Sequence, residues 1–544
     1  MTPLSEWARR ARAAGRVAFR SGAAFEVRPR AVLAAARARL AGPLGVSALL
    51  RIHAAGRPDH PAVIFEGRTW TWREADARVD RLASGLRREL GLGAGDAAVL
   101  AMKNRPELLE AQAAMARLGG AAVNVSWRST PDELVYLVEH SGARAVLVDA
   151  DVADAAAAVA PRLSRVRPGA LVIVGGSREG FTEYDEILRR GRDERLDGTE
   201  GAVVIYTSGT TGKPKGAVRR FPKGMVWGVL HVLDELRLRV DDRHLVVAPM
   251  YHSTAFGFLA FTMTLGGTVV IERGFDPERF LQTIERERIT TTAVVPTMLH
   301  RLMALPEATR RRYDTRSLRA IFCGGAPLSG ELARRVIEDL GHVLYNFYGS
   351  TETGLNTLAT PEELLRSPGT IGHAIAGNEI RLLDEAGREV PDGETGELWV
   401  KNAMLVAGYH DDEQATRSSM REGFFSVGDL AHRDAGGLYH IDGRKRDMII
   451  TGGVNVYPAE VEEVLHRHPQ VAEVAVVGVP DEEWGERVRA FVVPREGGLD
   501  EAELIAWAKR HLAGPKVPRD VRVLDELPKN PTGKVLKREL RALP

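Results

Sequence analysis

The sequence predicts an α/β protein in two parts, a large N-terminal domain of several subdomains with mixed sheets and a small α+β C-terminal domain. Three observations carry this prediction. A chain of 544 residues exceeds what one ordinary core fills. Short β-rich apolar runs alternate with helical patterns from about residue 45 to about residue 440. Beyond GYHDDEQAT (408–416) that alternation gives way to period-two patterning broken by turn residues.

Composition is that of a soluble globular protein, 44% hydrophobic and 27% charged. A net charge of +1 argues against nucleic acid as a partner, since a typical binder is strongly basic. Cys323 is the single cysteine, which excludes an internal disulfide and a cysteine-based zinc site and fits a reducing cytosol. No apolar run reaches bilayer length and the N-terminus lacks the order of a signal peptide, so the expected location is cytoplasmic.

Residues 1–44 carry nine arginines, among them Arg9, Arg10, Arg12, Arg16 and Arg20, against Glu6 and Glu26. Trp7, Ala11, Ala14 and Ala18 recur at helical spacing. Two roles suit such a segment: a solvated helix packed on the domain behind it, or a peripheral contact with the inner face of an anionic membrane.

From residue 45 the order is AAVLAMKN (97–104), PELLEAQAAMARLGG (106–120), AAVNVS (121–126), TPDELVYLVEHSG (130–142) and ARAVLVD (143–149). Strand and helix alternating at that spacing form βαβ units, hence a mostly parallel sheet covered by helices. The pattern returns at HLVVAPM (244–250), GTVVIERG (267–274), ITTTAVVPT (289–297) and LRAIFCGG (318–325). In 424–453 the period-two pattern predicts antiparallel strands. A helix then follows with Pro458 in its first turn, next a strand over VAEVAVVGVP (471–480), next a helix over DEAELIAWAKRHL (500–512). The charged GRKRD (443–447) offers few apolar anchors, so the domains divide into 45–445 and 446–544.

YTSGTTGKPKG (206–216) is too poor in core-forming side chains to serve packing. Glycines let backbone approach a ligand, successive N–H groups form an anion nest, and hydroxyls and Lys215 add donors and charge, a combination suited to polyphosphate. It is not a Walker loop. Pro214 follows Lys213, Gly216 follows Lys215, and the next residues read as a strand where that motif needs a helix.

Four further stretches fit the first. YNFYGSTETG (345–354) offers the aromatic Tyr348 and one carboxylate, Glu352, suited to Mg²⁺ with phosphate oxygens. SVGDL (426–430) sets Asp429 on a turn, where a carboxylate can accept both hydroxyls of a ribose. DGRKRDMIITGGVNVYPAE (442–460) combines Arg444 with a glycine pair, and LPKNPTGKVLKREL (527–540) presents Lys534 from a Pro/Gly loop. The set, in this order over about 45–540, resembles the adenylate-forming superfamily of acyl-CoA synthetases, adenylation domains and luciferases.

That resemblance implies a two-step reaction. A carboxylate attacks the α-phosphorus of ATP, pyrophosphate leaves and an acyl-adenylate forms. A thiol, usually that of coenzyme A, then takes the acyl group and releases AMP. It further implies that Thr207, Ser208, Gly209, Thr210, Thr211, Gly212 and Lys215 hold the β- and γ-phosphates. Glu352, with Thr207, binds Mg²⁺. Tyr348 packs against adenine beside Gly325, Ala326 and Pro327, and Thr351 contacts the α-phosphate. Asp429 and Arg444 hold the ribose. Lys534 bridges carboxylate and α-phosphate in the first step only, because the small domain acts as a lid that rotates between the steps. Its hinge falls at Arg446, where the family usually has Lys or Asp. Gly452 and Gly453 fall where the pantetheine arm passes.

APMYHSTAFGF (248–258) occupies the place of the acyl pocket in that family, with His252 near the substrate carboxylate. An amino-acid substrate needs a carboxylate here to pair with its ammonium, and Tyr251, His252, Ser253 and Thr254 supply none. Small residues (Ala255, Gly257, Ala260, Gly266, Gly267) suit an alkyl or aryl chain. A medium- or long-chain fatty acid is the expected substrate, with an aryl-CoA ligase or an acyl-AMP ligase loading a carrier protein as alternatives. Free coenzyme A is the expected acceptor, and the protein is expected to be a monomer or homodimer.

Overall fold

The computed structural model describes the chain apart from residues 1–2, 27, 42–44, 197–200, 208–214, 220–224, 410–411, 452–453, 482, 496–497, 531–533 and 544. Four sheets organise the described residues. The first has seven strands in the order Thr182–Glu183, Leu171–Val174, Ala145–Asp149, Ala97–Ala101, Ala121–Asn124, Ala202–Thr207, Lys215–Arg219. All its pairs are parallel except the last, which is antiparallel. The second, of nine strands, is parallel from Pro61–Phe65 across to Leu344–Ser350 and antiparallel at both edges. The inner strands of both are almost wholly buried Val, Ala, Ile and Leu, as sheets covered on two faces require.

Helices between the sheets make one continuous core. Leu100 and Val172 of the first sheet join Phe65 and Val269 of the second through Leu82, Leu86, Met115 and Leu259. Local sequence sets the helix limits. Helix Trp72–Leu90 opens with a capping box between Thr71 and Glu74 and stops at Gly91, whose φ of 62° is the left-handed cap. Helix Pro131–Ser141 repeats the device with Thr130, Glu133 and Gly142.

The N-terminal helix Pro3–Arg20 packs on helix Met225–Leu236. Val17 enters the core formed by Met225, Val232 and Leu236, while Arg16 (2.7 Å) and Arg20 (3.3 Å) pair with Asp234. The buried face differs from the expected stripe. Ala13 and Val17 point inward, Ala14 and Ala18 are half-buried, and Ala11 is exposed. Val17 offers more apolar area than any alanine, and turning it inward also carries Arg16 and Arg20 to Asp234.

A six-stranded antiparallel sheet built around Gly396–Lys401 ends with strand Tyr439–Arg444. A five-stranded sheet starts at Ile449–Thr451 and centres on the long pair Val471–Asp481 and Gly485–Pro494. Helices Pro458–His466, with Pro458 in its first turn, and Glu501–His511, capped by Asp500, cover that sheet. The His466 ring meets His300 of the large part edge-on, with centroids 5.5 Å apart.

Candidate active site

Strands Ala202–Thr207 and Lys215–Arg219 run antiparallel, with Thr207 opposite Lys215. A strand, not a helix, therefore follows the Gly/Thr loop. Ser208, Gly209, Thr210, Thr211 and Gly212 of that loop lie outside the described residues, as do Gly452 and Gly453.

Next to this pair the second sheet brings two motifs together. Strand Ala320–Gly324 lies parallel to Leu344–Ser350 with Gly324 opposite Phe347, so Gly325, Ala326 and Pro327 emerge beside Tyr348. A bulge between Tyr348 and Gly349 turns the chain, and a Cβ at Gly349 would overlap the carbonyl oxygen of Gly354. The turn that carries Thr351 and Glu352 is fixed by hydrogen bonds. Ser350 Oγ accepts from the N–H groups of Glu352 (3.2 Å) and Thr353 (3.1 Å). Asn356 donates to Thr353 Oγ1 (2.7 Å) and Asn402 to the Thr353 carbonyl (2.9 Å). Glu352 is buried, and the Tyr409 hydroxyl donates to its Oε1 at 2.9 Å. Sequence reading passed over Tyr409. Its neighbour Gly408 accepts from Val218 N–H of the strand after the phosphate loop, and only that tertiary pairing brings the phenol to Glu352.

Asp429 and Arg444 stand opposite each other on adjacent strands, and Arg444 Nε donates to Asp429 Oδ1 at 3.0 Å. The Tyr348 hydroxyl donates to the other oxygen at 2.7 Å. Burial and then the Asp429 charge push the Tyr348 phenol well above its ordinary range, so it stays a donor. Lys534 lies within reach of this cluster. Burial lowers its ammonium to about 8, Arg444 and Arg446 add repulsion, and Asp429 and Asp447 oppose them. Two hydrogen bonds tie Lys534 to Asn530: Lys534 N–H donates to Asn530 Oδ1 (2.9 Å) and Asn530 N–H to the Lys534 carbonyl (2.8 Å).

A cavity of about 210 Å³ reaches the bulged turn, where Phe347, Gly349 and Ser350 line it. Ser253, Gly257, Ala260 and Thr264 line it at spacings of four, three and four, so it runs along one face of helix Ser253–Leu265. Phe256, Phe258, Phe261 and Phe347 supply aromatic walls. Of the small residues expected to line it, Gly257 and Ala260 do. Ala255 instead points into the core, Gly266 caps the helix with φ 82°, and Gly267 follows that cap. At the helix start, Ser253 Oγ lies 3.1 Å from Thr351 Oγ1. His252 caps the helix. Its Nε2 is buried without a hydrogen-bond partner among the described residues, and burial lowers the imidazole to about 4, so it is neutral at pH 7. A buried ring nitrogen left unpaired costs about 1–3 kcal/mol, a debt that a bound polar group would cancel.

Among the described residues no cluster of three or more His, Cys, Asp or Glu could hold a metal by itself. Glu352 is a single carboxylate. That suits Mg²⁺, which takes one or two carboxylates and fills its other positions with phosphate oxygens and water.

Parallel sheets, a Gly/Thr loop and converging Asp429, Arg444, Glu352 and Lys534 define a nucleotide-activating α/β enzyme. Comparison with known proteins narrows the class. The model of the AMP-binding enzyme family matches residues 50–410, and that of the AMP-binding enzyme C-terminal domain matches 460–534. A feruloyl-CoA synthase of Amycolatopsis sp is 38% identical over 488 residues, 89% of this chain and 96% of the relative. An indoleacetate–CoA ligase of Aromatoleum aromaticum is 34% identical, over 90% and 96%. Among solved structures, ATP-bound MatB from Rhodopseudomonas palustris is similar with a TM-score of 0.82 and 31% identity, over 91% of this chain and 98% of that one. The chain belongs to the AMP-binding enzyme family of the adenylate-forming superfamily and is an AMP-forming acid–thiol ligase. ATP and a carboxylic acid are its substrates, and coenzyme A fits as acceptor.

Proposed function

We propose that this ligase activates an aromatic carboxylic acid, joining it to AMP and then to coenzyme A. The observation that carries the reading is the cavity along helix Ser253–Leu265, walled by four phenylalanines and reaching Ser253, which contacts Thr351. A planar ring meets such walls edge-to-face or offset at little entropic cost. Relatives named for feruloyl and indoleacetyl substrates support it. A medium- or long-chain fatty acid is the second reading, favoured by the apolar lining and by a long-chain-fatty-acid–CoA ligase of Yersinia pestis at 32% identity.

In this reading Thr207 to Gly212 and Lys215 hold the β- and γ-phosphates. Tyr348 and Gly325 to Pro327 hold adenine, and Asp429 with Arg444 holds the ribose. Asp429 already accepts from Tyr348 and Arg444, and each carboxylate oxygen keeps a further lone-pair site for a ribose hydroxyl. In its Nε2–H tautomer, neutral His252 donates to the acid's carboxylate. Thr351 and Lys534 stabilise charge at the α-phosphate. Glu352 and Thr207 would hold Mg²⁺, which when bound neutralises phosphate charge, and Tyr409 orients the carboxylate. Gly452 and Gly453 stand in the sequence where the family passes the pantetheine arm.

The test is AMP and pyrophosphate release over a panel of aryl, arylalkanoic and alkyl acids, with and without coenzyme A. Preference for straight-chain alkyl acids would replace the aromatic reading by the second one. Adenylate that accumulates without consuming coenzyme A would move the enzyme to the carrier-loading alternative, for which the fatty acid–[acyl-carrier-protein] ligase ScoC at 33% identity is a precedent.

We also propose a peripheral membrane contact through the N-terminal segment. Phe19, Phe25, Val32, Leu33 and Leu40 are exposed, with Arg28, Arg30 and Arg37 exposed among them. Among the described residues no helix is long and apolar enough to span a bilayer. Sedimentation with anionic vesicles, lost on Phe19→Ser with Phe25→Ser, checks the contact, and its absence in the unaltered protein removes it.

A further inference from the structure

The cavity has a wall that the family model does not cover. That match begins at residue 50, whereas Arg39, Gly45, Val46 and Leu49 line the cavity. They come from helix Pro29–Ala41 and from the start of helix Val46–Gly56, which pack on one another. The second helix also packs on Ser253–Leu265, and the contact is pinned at its end. Arg57 donates to the carbonyls of Val240 (2.9 Å) and Gly266 (3.0 Å), and a Cβ at Gly266 would lie 2.8 Å from the His53 ring.

Arg39 stands out in this wall. It is the one charged side chain among the described residues lining the cavity, and it has no ion pair or hydrogen bond among them. Arg16, Arg51 and Arg57 nearby all have carboxylate or carbonyl partners. Arg39 is half-buried, while Leu40 beside it is 89% exposed, so this part of the wall borders solvent. The reacting carboxylate belongs beside Thr351. What reaches Arg39 is therefore another part of the acid. A half-buried guanidinium in an otherwise apolar wall rewards an oxygen acceptor, and a carboxylate most of all.

We infer that Arg39, Val46 and Leu49 form a specificity wall in which Arg39 selects acids carrying an oxygen acceptor remote from the reacting carboxylate. The inference rests on the aromatic-acid reading of the cavity. Val46 and Leu49 set the room available to the ring, and Arg39 reads the substituent on it.

The test compares cinnamic acid with its para-hydroxy and para-carboxy derivatives, using full-length enzyme and ATP–pyrophosphate exchange. Arg39→Met is expected to lower kcat/KM about ten- to hundred-fold for the two substituted acids, as loss of a charge-assisted hydrogen bond does. It should leave cinnamic acid and the KM for ATP unchanged, and Arg39→Lys should restore most of the preference for the para-carboxy acid. Val46→Phe should penalise all three acids and spare benzoic acid. Equal loss for all three acids in Arg39→Met, or no loss, overturns the wall. If the unaltered enzyme exchanges pyrophosphate with none of them, the aromatic reading fails, and calorimetric titration of the same acids without ATP then decides. Weaker binding of only the substituted acids to Arg39→Met keeps the wall, and equal affinity or no binding overturns it.

Discussion

Lys534 is an ammonium whose surroundings work against its charge. Burial, Arg444 and Arg446 lower it to about 8, so it is mostly cationic at neutral pH and loses its proton as pH rises through that value. If the cation is needed for the first step, kcat/KM for ATP, which reports the free enzyme, should be flat below pH 8 and fall above it. Lys534→Ala should cost adenylate formation about 10²- to 10³-fold, the scale of a lost electrostatic stabiliser. It should leave transfer from pre-made acyl-adenylate to coenzyme A intact, and equal loss in both half-reactions would end that assignment. Tyr409→Phe removes the donor to Glu352 without changing shape. A roughly ten-fold drop in kcat is expected from one hydrogen bond to a charged acceptor, together with a lower melting temperature because buried Glu352 loses a donor. Glu352 and Lys534 stood out in sequence as candidates because charged residues in Gly- and Pro-rich turns have few structural uses. Asp429 and Arg444 did so because each follows a glycine, Gly428 and Gly443, although Asp429 opens a strand paired with that of Arg444 instead of lying on the expected turn. Tyr409 and Arg39 did not, because a loop tyrosine and an arginine in a basic helix look ordinary until the chain folds them against Glu352 and the cavity.

Among the elements, the bulged turn at Gly349 positions both the Tyr348 ring and the Glu352 carboxylate. Its cost is a backbone approach that admits no side chain. Gly349→Ala must push the Gly354 carbonyl away, and overpacking of this kind costs about 1–3 kcal/mol. Calorimetry should show a lower melting temperature, and the KM for ATP should rise because Tyr348 and Glu352 move with the turn. An unchanged melting temperature would mean that the bulge relaxes freely. Strands and helices of the βαβ units were readable because buried parallel strands are continuous Val/Ile/Ala runs and the caps at Thr71 and Thr130 are explicit. The N-terminal helix was readable as a helix but not in its orientation. Alanines carry little apolar area, so Val17 and the pull of Asp234 on Arg16 and Arg20 decided which face turned inward. The pocket face of Ser253–Leu265 was half legible for a similar reason: small residues both line cavities and cap helices, and Gly266 does the second.

Across the whole molecule, a short stretch from Arg444 to Ile449 joins the six-stranded and five-stranded sheets, and a seam runs between the C-terminal part and the large part. His300, on helix Pro296–Met303 beside the nine-stranded sheet, and His466, on helix Pro458–His466, meet across this seam with rings 5.5 Å apart. Burial is the main cause of lowering for both. His466 and then Arg335, Arg495 and Lys529 push His300 further, to about 4, while Glu473, Glu331 and Glu462 partly offset the effect of Arg495 on His466. Both rings are therefore neutral when packed together. Separated, each would return toward its ordinary value of about 6.5. Below that value the separated state binds more protons, so the contact is at full strength above pH 6.5 and weakens progressively as pH falls toward 4. Small-angle scattering should show a larger radius of gyration at pH 5 than at pH 7.5 as the C-terminal domain leaves its seat. In His300→Phe with His466→Phe, an aromatic pair that takes no proton, the radius should stay the same at both values. Equal expansion in the double variant and the unaltered protein would assign the pH response to carboxylates elsewhere, and no expansion in either would show that other contacts along the seam outweigh the histidine pair.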